Sequence, residues 1–204
     1  APEGLNGLVF GSEDAQATYA ALRDAGVPVE PPEQFSRPVA LPDGARDATF
    51  RTVRLSPGTT GVGRLYFCQH LTRDLVWRDE WRRHPNGVIG VIRAVIAARE
   101  PAVLGNLFAR MFGDDTVRAI ADGFSLAVGL SRFDVLTPEA LQRLFGGAAP
   151  DTGGREEHMA ALSLRTKSLD TACAAFQDLP YDRREDAVIV PAAAAFGVTL
   201  EFRE

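Results

Sequence analysis

Residues 64–87 read RLYFCQHLTRDLVWRDEWRRHPNG, and the two halves of this stretch obey different rules. In the first half Leu65, Phe67 and Gln69 alternate with Tyr66, Cys68 and His70, the period of two that sends successive side chains to opposite faces of a half-buried strand. The second half crowds Trp77, Arg78, Trp81, Arg82, Arg83 and His84 together, and His84-Pro85-Asn86-Gly87 breaks the chain before an apolar strand begins at Val88. The stretch is a joint, and the chain on either side of it is built of units.

Upstream, residues 5–10 form a short apolar run, and Ser12 with Glu13 and Asp14 offers a helix cap followed by acidic residues at the positive end of the helix dipole. Ala15, Tyr19, Leu22 and Ala25 trace one helical face, and Gly26 ends it. Pro28, Pro31 and Pro32 confine residues 27–33 to an edge strand or extended loop. Asp43-Gly44 signals a hairpin turn into the alternating run 50–55, and Pro57-Gly58 turns the chain towards Arg64.

The same grammar restarts downstream. A strand over Val88–Ala98 leads to a helix opened by Pro101, with Leu104, Leu107, Phe108 and Met111 inward and Gly113 at its end. Strands follow at 116–121, 124–129 and 132–136, with Asp122-Gly123 as a tight turn, and Thr137-Pro138-Glu139 starts a short helix. Residues 146–154, with four glycines and Pro150, read as a flexible linker. A third round begins with a strand at 158–166 and a helix capped by Ser168 that turns Leu169, Ala172, Cys173, Phe176 and Leu179 inward, and closes with strands at 187–190 and 197–202. The stretches GSEDAQATYAALRDAGV, AAREPAVLGNLFARMFG and RTKSLDTACAAFQDLPY each join a strand to an amphipathic helix at similar distances, which is internal repetition. Three such helices each need a sheet to cover, so the fold class is α+β rather than a helical bundle or a doubly wound parallel sheet.

A net charge of -5 argues against nucleic acid as a partner, since phosphate binding rests on clustered positive charge. The basic residues Arg73, Arg78, Arg82 and Arg83 are interleaved with Asp74, Asp79 and Glu80, the composition of a salt-bridged surface. Arg supplies all the positive charge except Lys167, and Ala, Gly and Pro are abundant, which fits GC-rich bacterial coding. Cys68 and Cys173 lack the spacing of a zinc or redox pair and read as buried thiols. No apolar run approaches the roughly 20 residues that cross a bilayer and no signal-peptide pattern is present, so the expected location is the cytoplasm, away from membranes.

FCQH followed by LVWRDEWRRHPNG, a strand leading into AAREP, the segment SRPVALPDG and the closing GVTLEF together resemble the vicinal oxygen chelate superfamily and, within it, the glyoxalase-like domain proteins. The resemblance covers most of the chain. It implies βαβββ modules forming curved mixed sheets: a first module over 1–70, the Trp/Arg/His-rich joint over 71–87, a second module over 88–148 and a third over 157–204. It also implies either a divalent metal (zinc, iron, manganese or nickel) that holds adjacent oxygens of a small substrate, or a metal-free binding protein, the two standing level.

In metal-dependent members the ligands come from the first and last strands of paired modules. Glu201 in GVTLEF matches the last-strand glutamate, and His158 falls near the first-strand position of the same module. The equivalent positions elsewhere fall near Ile92 and near Leu5 or Asn6, which are poor metal donors, while His70 ends the first module's last strand and offers a nitrogen. The resemblance thus implies Glu201, His158 and His70 as a metal set, with Glu201 and His70 as catalytic groups. Read plainly, Glu201 is a solvent-facing carboxylate and His158 an exposed strand-start histidine beside Glu156 and Glu157.

His70 and His84 bracket two tryptophans, either as a structural plug or as a ligand cleft with Trp77 and Trp81 as its wall and His84 at its edge. Arg37 and Arg54 present guanidinium forks suited to a substrate carboxylate or to surface ion pairs. Two functions follow: a metal-dependent lyase, isomerase or dioxygenase acting on a small oxygenated compound, or a protein that binds or sequesters a small molecule without metal. Modules of this superfamily work in pairs. A third one left over implies a homodimer through residues 1–70, or a further module ahead of Ala1, since an uncovered curved sheet exposes apolar surface and strand edges.

Overall fold

The computed structural model describes residues 3–204. They divide into two compact units, a smaller one over Gly7–Arg82 and a larger one over residues 83–204 together with the short segment before Gly7.

In the smaller unit β1 (Gly7–Gly11) is followed by α1 (Ala15–Asp24), then by β2 (Glu33–Leu41), β3 (Gly44–Arg54) and β4 (Arg64–His70), in a sheet of order β1-β4-β3-β2. β1 runs parallel to β4 and every other pair is antiparallel. The helix starts two residues later than Ser12 would place it: the Asp14 carboxylate accepts from the Gln16 and Ala17 amides and is the cap, while the Ser12 hydroxyl is engaged with Thr18. Residues 27–33 form no edge strand beyond an isolated bridge between Val29 and Leu55, and the paired strand begins at Glu33, beyond the prolines that remove ladder donors.

The larger unit repeats this plan twice in one sheet. β5 (Val88–Ala98), α2 (Pro101–Phe112), β6 (Val117–Ile120), β7 (Gly123–Val128) and β8 (Ser131–Leu136) make one round. After α3 (Pro138–Phe145), β9 (Glu157–Thr166), α4 (Leu169–Phe176), β10 (Asp182–Arg183), β11 (Val188–Val190) and β12 (Thr199–Arg203) make another. The order is β10-β11-β12-β9-β5-β8-β7-β6. Each round pairs its first strand parallel to its last, and the two rounds meet where β5 and β9 run antiparallel.

Alternation along the strands gives this sheet two unlike faces. One carries Ala94, Ile96, Phe124, Leu126, Phe133 and Val135 in register under α2, whose Phe108 ring meets Phe124 edge-on at 6.1 Å. On the same face Leu164, Val188, Val190 and Phe202 lie under Leu169, Ala172 and Phe176 of α4. The other face carries Val95, Ala97, Leu136, Ala161 and Ile189 beneath Ala140, Leu141 and Phe145 of α3. Sinking Phe145 to 2 % exposure contributes roughly 2–3 kcal/mol of apolar burial. α3 covers only one end of that face, and the uncovered end holds the charged residues described below.

Residues 146–154 are not a loose linker. They begin with a 3-10 turn over Gly146–Ala148, Ala148 and Ala149 pack on the α3 core, Pro150 is buried, and the Ala148 carbonyl accepts from the Thr199 hydroxyl at 2.7 Å. Cys68 is buried as expected of an apolar thiol, but Cys173 is half-exposed and accepts from Arg183. No helix among the described residues is long and apolar enough to cross a membrane.

Gly123 at the β6–β7 turn has φ +153, and an added Cβ would lie 1.9 Å from the Val135 carbonyl oxygen. Gly147 has nothing within 4 Å of such an atom. Gly123→Ala is therefore expected to lower the unfolding free energy by more than about 2 kcal/mol, and Gly147→Ala to stay within about 0.5 kcal/mol of the parent, in urea titrations followed by circular dichroism.

Candidate functional site

The uncovered end of the α3 face is lined by Ile92, Arg93, Arg132, Ser163, Glu201 and Arg203 around a cavity of about 330 Å³. Sheet register brings them together. Glu201 of β12 pairs with Ser163 of β9, Ser163 with Arg93 of β5, and Arg93 with Arg132 of β8, so four adjacent strands each present a polar group at one level. Between β5 and β9 the register slips, Val91 facing Leu164 and Arg93 facing Ser163, which leaves Ile92 as an extra residue. Such a bulge re-aims the following side chain, and here it turns Arg93 into the cluster.

Two carboxylates anchor the site. Glu201, 3 % exposed, accepts a short hydrogen bond from the Ser163 hydroxyl and a charge-assisted one from Arg203 Nε at 3.0 Å, with Arg93 Nη1 4.0 Å away. Asp134, 4 % exposed, accepts from Arg93 Nε at 2.6 Å and Ser125 Oγ at 2.7 Å, and Arg132 Nε is ion-paired with it at 3.1 Å. A buried carboxylate is tolerable only when paired and hydrogen-bonded, and both are. The guanidiniums keep spare donors. Arg132, with its side chain 55 % exposed, is engaged through Nε alone, and Arg203 reaches the exposed Asp186 at 2.6 Å with Nη1.

Glu201 is thus a buried member of the cluster and not a surface carboxylate. His158 is buried too, at 3 % exposure, rather than standing exposed beside acidic neighbours, and neither ring nitrogen has a hydrogen-bond partner among the described residues. It pairs across from Ala97, at the end of the sheet that α3 covers. Five residues of β9 separate it from Ser163, roughly 16 Å at the usual strand rise. The expected pairing of His158 with Glu201 at one ion is therefore not realised. Burial, reinforced by Arg155 and only partly offset by Asp151, lowers the His158 pKa from 6.5 to about 4, so the ring is neutral.

The other expected residues lie elsewhere. His70 is in the smaller unit, where its Nδ1 accepts from the Trp77 indole at 3.2 Å and its ring meets Phe50 edge-on at 5.0 Å. Burial and, less strongly, Arg73 depress its pKa. Trp77 and Trp81 are 64 % and 45 % exposed, so they do not form a buried plug, and Arg78 lies over the Trp81 ring at 5.6 Å. His84 is exposed, its carbonyl closing a turn with the Gly87 amide. Arg54 pairs with Glu33 at 2.8 Å on the surface, and Arg37 lies over the Phe35 ring. The interleaved charges of the joint do pair, Arg78 with Glu80, Arg82 with Asp79 and Arg73 with Glu13.

A family model described as a glyoxalase-like domain matches residues 1–112, more than half of the chain. The chain belongs to the glyoxalase-like domain family. No curated protein matches the chain. Among solved structures, a hypothetical protein from Staphylococcus aureus overlays with a TM-score of 0.62 at 8% identity, over 95% of this chain and 63% of that one. Methylmalonyl-CoA epimerase from Mycobacterium tuberculosis gives 0.43 at 17% identity, over 60% and 91% of the two chains. Homoprotocatechuate 2,3-dioxygenase from Arthrobacter globiformis gives 0.48 at 11%, over 97% and 61%. At these identities the likeness is one of fold, and this glyoxalase-like chain spans less than two thirds of the Staphylococcus aureus protein's length.

The metal implied by the resemblance does not fit the residues of this cavity. Each Glu201 oxygen already has a partner, Ser163 on one and Arg203 on the other, Asp134 is held by two hydrogen bonds and an ion pair, and the remaining polar walls are guanidiniums, which carry positive charge and no lone pair. The inward place beside Ile92 belongs to Arg93. Among the described residues no group of three His, Cys, Asp or Glu side chains is gathered as for a metal ion.

Replacing Glu201 by Gln leaves Arg93 and Arg203 with a neutral partner in a buried position, and is expected to cost about 3 kcal/mol, against about 1 kcal/mol for Ser163→Ala, by urea denaturation at pH 7. His158 sets a pH dependence. Its folded pKa lies below the unfolded value, so its share of stability is intact above pH 6.5 and is lost as pH falls towards about 4, because the unfolded chain takes up a proton that the folded chain refuses. That loss amounts to about 3 kcal/mol, and the fall in stability between pH 7 and pH 4 should be smaller by that amount in His158→Leu.

Proposed function

We propose that the larger unit binds a small oxygen-rich carboxylate compound directly through Arg132 and Arg203, as a metal-free binding or sequestering protein. The observation that carries this reading is the state of the two buried carboxylates: Glu201 and Asp134 are each hydrogen-bonded and ion-paired by the protein's own side chains, whereas among the described residues the terminal nitrogens of Arg132, at the cavity wall, have no partner. A guanidinium fork matches a carboxylate with two parallel hydrogen bonds. Arg203 and Arg93 are fixed through Nε by carboxylates on their own sheet, so little side-chain freedom is lost when a ligand docks. A cavity of about 330 Å³ suits a small metabolite. The metal-dependent lyase, isomerase or dioxygenase reading needs lone pairs directed at one point, and the cavity wall offers hydrogen-bond donors instead.

The test is calorimetric titration of the whole chain with pyruvate, in chelator and again with added zinc or manganese. Binding is expected to persist in chelator, to weaken as salt rises and to drop at least about tenfold in Arg132→Gln, the loss of one charge-assisted contact. Binding that appears only with added metal, or that is unchanged in Arg132→Gln, contradicts the reading.

A further inference from the structure

We infer that the smaller unit carries a second, separate small-molecule site, for a neutral aromatic carbonyl compound, in the cleft bounded by the end of β1, His70 and Trp77. The inference is independent of the carboxylate site, since every residue it uses lies within Gly7–Arg82.

The cleft has a volume of about 650 Å³ and takes its floor from Val9, Gly11 and Cys68. The β1–β4 register places Gly11 beside Cys68, on the face opposite Phe10, Phe67 and Gln69, and Gln69 accepts from the Ala15 amide at the start of α1. The floor is therefore the side of the sheet that α1 leaves open. A Cβ built on Gly11 would meet nothing within 4 Å, and Val9 is 52 % exposed, so the floor is both open and apolar. Cys68 adds to that character, because burial raises its pKa and keeps the sulfur protonated and unreactive.

Trp77 forms a wall. An indole 64 % exposed would ordinarily be free to swing, but this one donates its Nε1–H to His70 Nδ1 at 3.2 Å, and His70 is itself braced edge-on against Phe50. Accepting at Nδ1 fixes the neutral imidazole as the tautomer protonated at Nε2. Among the described residues Nε2–H has no hydrogen-bond partner, and His70 lines the cleft, which makes this N–H its donor. The cation in the cleft, Arg73, is neutralised by Glu13 at 2.6 Å. An apolar floor, an aromatic wall, one oriented donor and no net charge describe the complement of a flat, uncharged ring bearing a carbonyl: the ring stacks on Trp77 and its oxygen accepts from His70.

The test is a titration of ¹⁵N-labelled protein with acetophenone, following the Trp77 indole N–H and the His70 ring nitrogens by NMR. Both are expected to shift saturably, with affinity at least tenfold weaker for cyclohexyl methyl ketone, which lacks the flat ring, and for benzoate, which brings a charge. Trp77→Leu changes an exposed residue and keeps the fold, so loss of the His70 shift in that variant supports the wall assignment. Absence of saturable shifts, equal affinity for the three compounds, or unchanged binding in Trp77→Leu overturns the inference.

Discussion

Two carboxylates set inside a β-sheet are the constraint on which the larger unit depends. Glu201 and Asp134 are almost fully removed from water, each between apolar neighbours on its strand, Leu200 and Phe202 for the one and Phe133 and Val135 for the other. Stranding either charge would be costly, so the sheet must deliver guanidiniums to both. Arg93 lies between them because β5 is the central strand, flanked by β9 on one side and β8 on the other. The bulge at Ile92 makes the delivery possible. Without the extra residue, the parity of β5 beyond that point would reverse and Arg93 would face the side covered by α2 and α4.

The same parity divides the work of the two faces. Apolar residues at alternate positions carry α2 and α4 on one face, and α3 seals half of the other. What remains is a small recess whose walls are charged because no helix covers them. The recess is part of the folding solution as much as a functional device: donors that hold the buried carboxylates also leave guanidinium nitrogens facing a cavity.

Much of the fold was legible in the chain. β4 and β5 have the bounds that alternation and apolar content predict, and the helices opened by Pro101, Pro138 and Ser168 begin where a ring-fixed φ or a hydroxyl cap would start them. Errors fell where a local signal competed with packing. Ser12 is a good cap by type, but the chain enters the helix at Asp14, and a glycine-rich segment that looks like a linker is pinned by Thr199 and the α3 core. Strand β10 escaped notice because Asp182 and Arg183 carry no apolar signal of their own.

The site was half legible. Glu201 stood out through its place in GVTLEF, but its partners did not, although each leaves a trace: Arg93 interrupts the apolar run of β5, Asp134 sits between Phe133 and Val135, and Ser163 between Leu162 and Leu164. A polar residue inside an apolar strand signals a buried partner somewhere, but only register says which, and register across β5 and β9 depends on bulges that hydrophobic pattern does not locate. Carboxylates that serve arginines and not a metal leave the purified, desalted chain without stoichiometric divalent metal in elemental analysis; one equivalent of zinc, iron, manganese or nickel that disappears in Glu201→Ala would show the opposite.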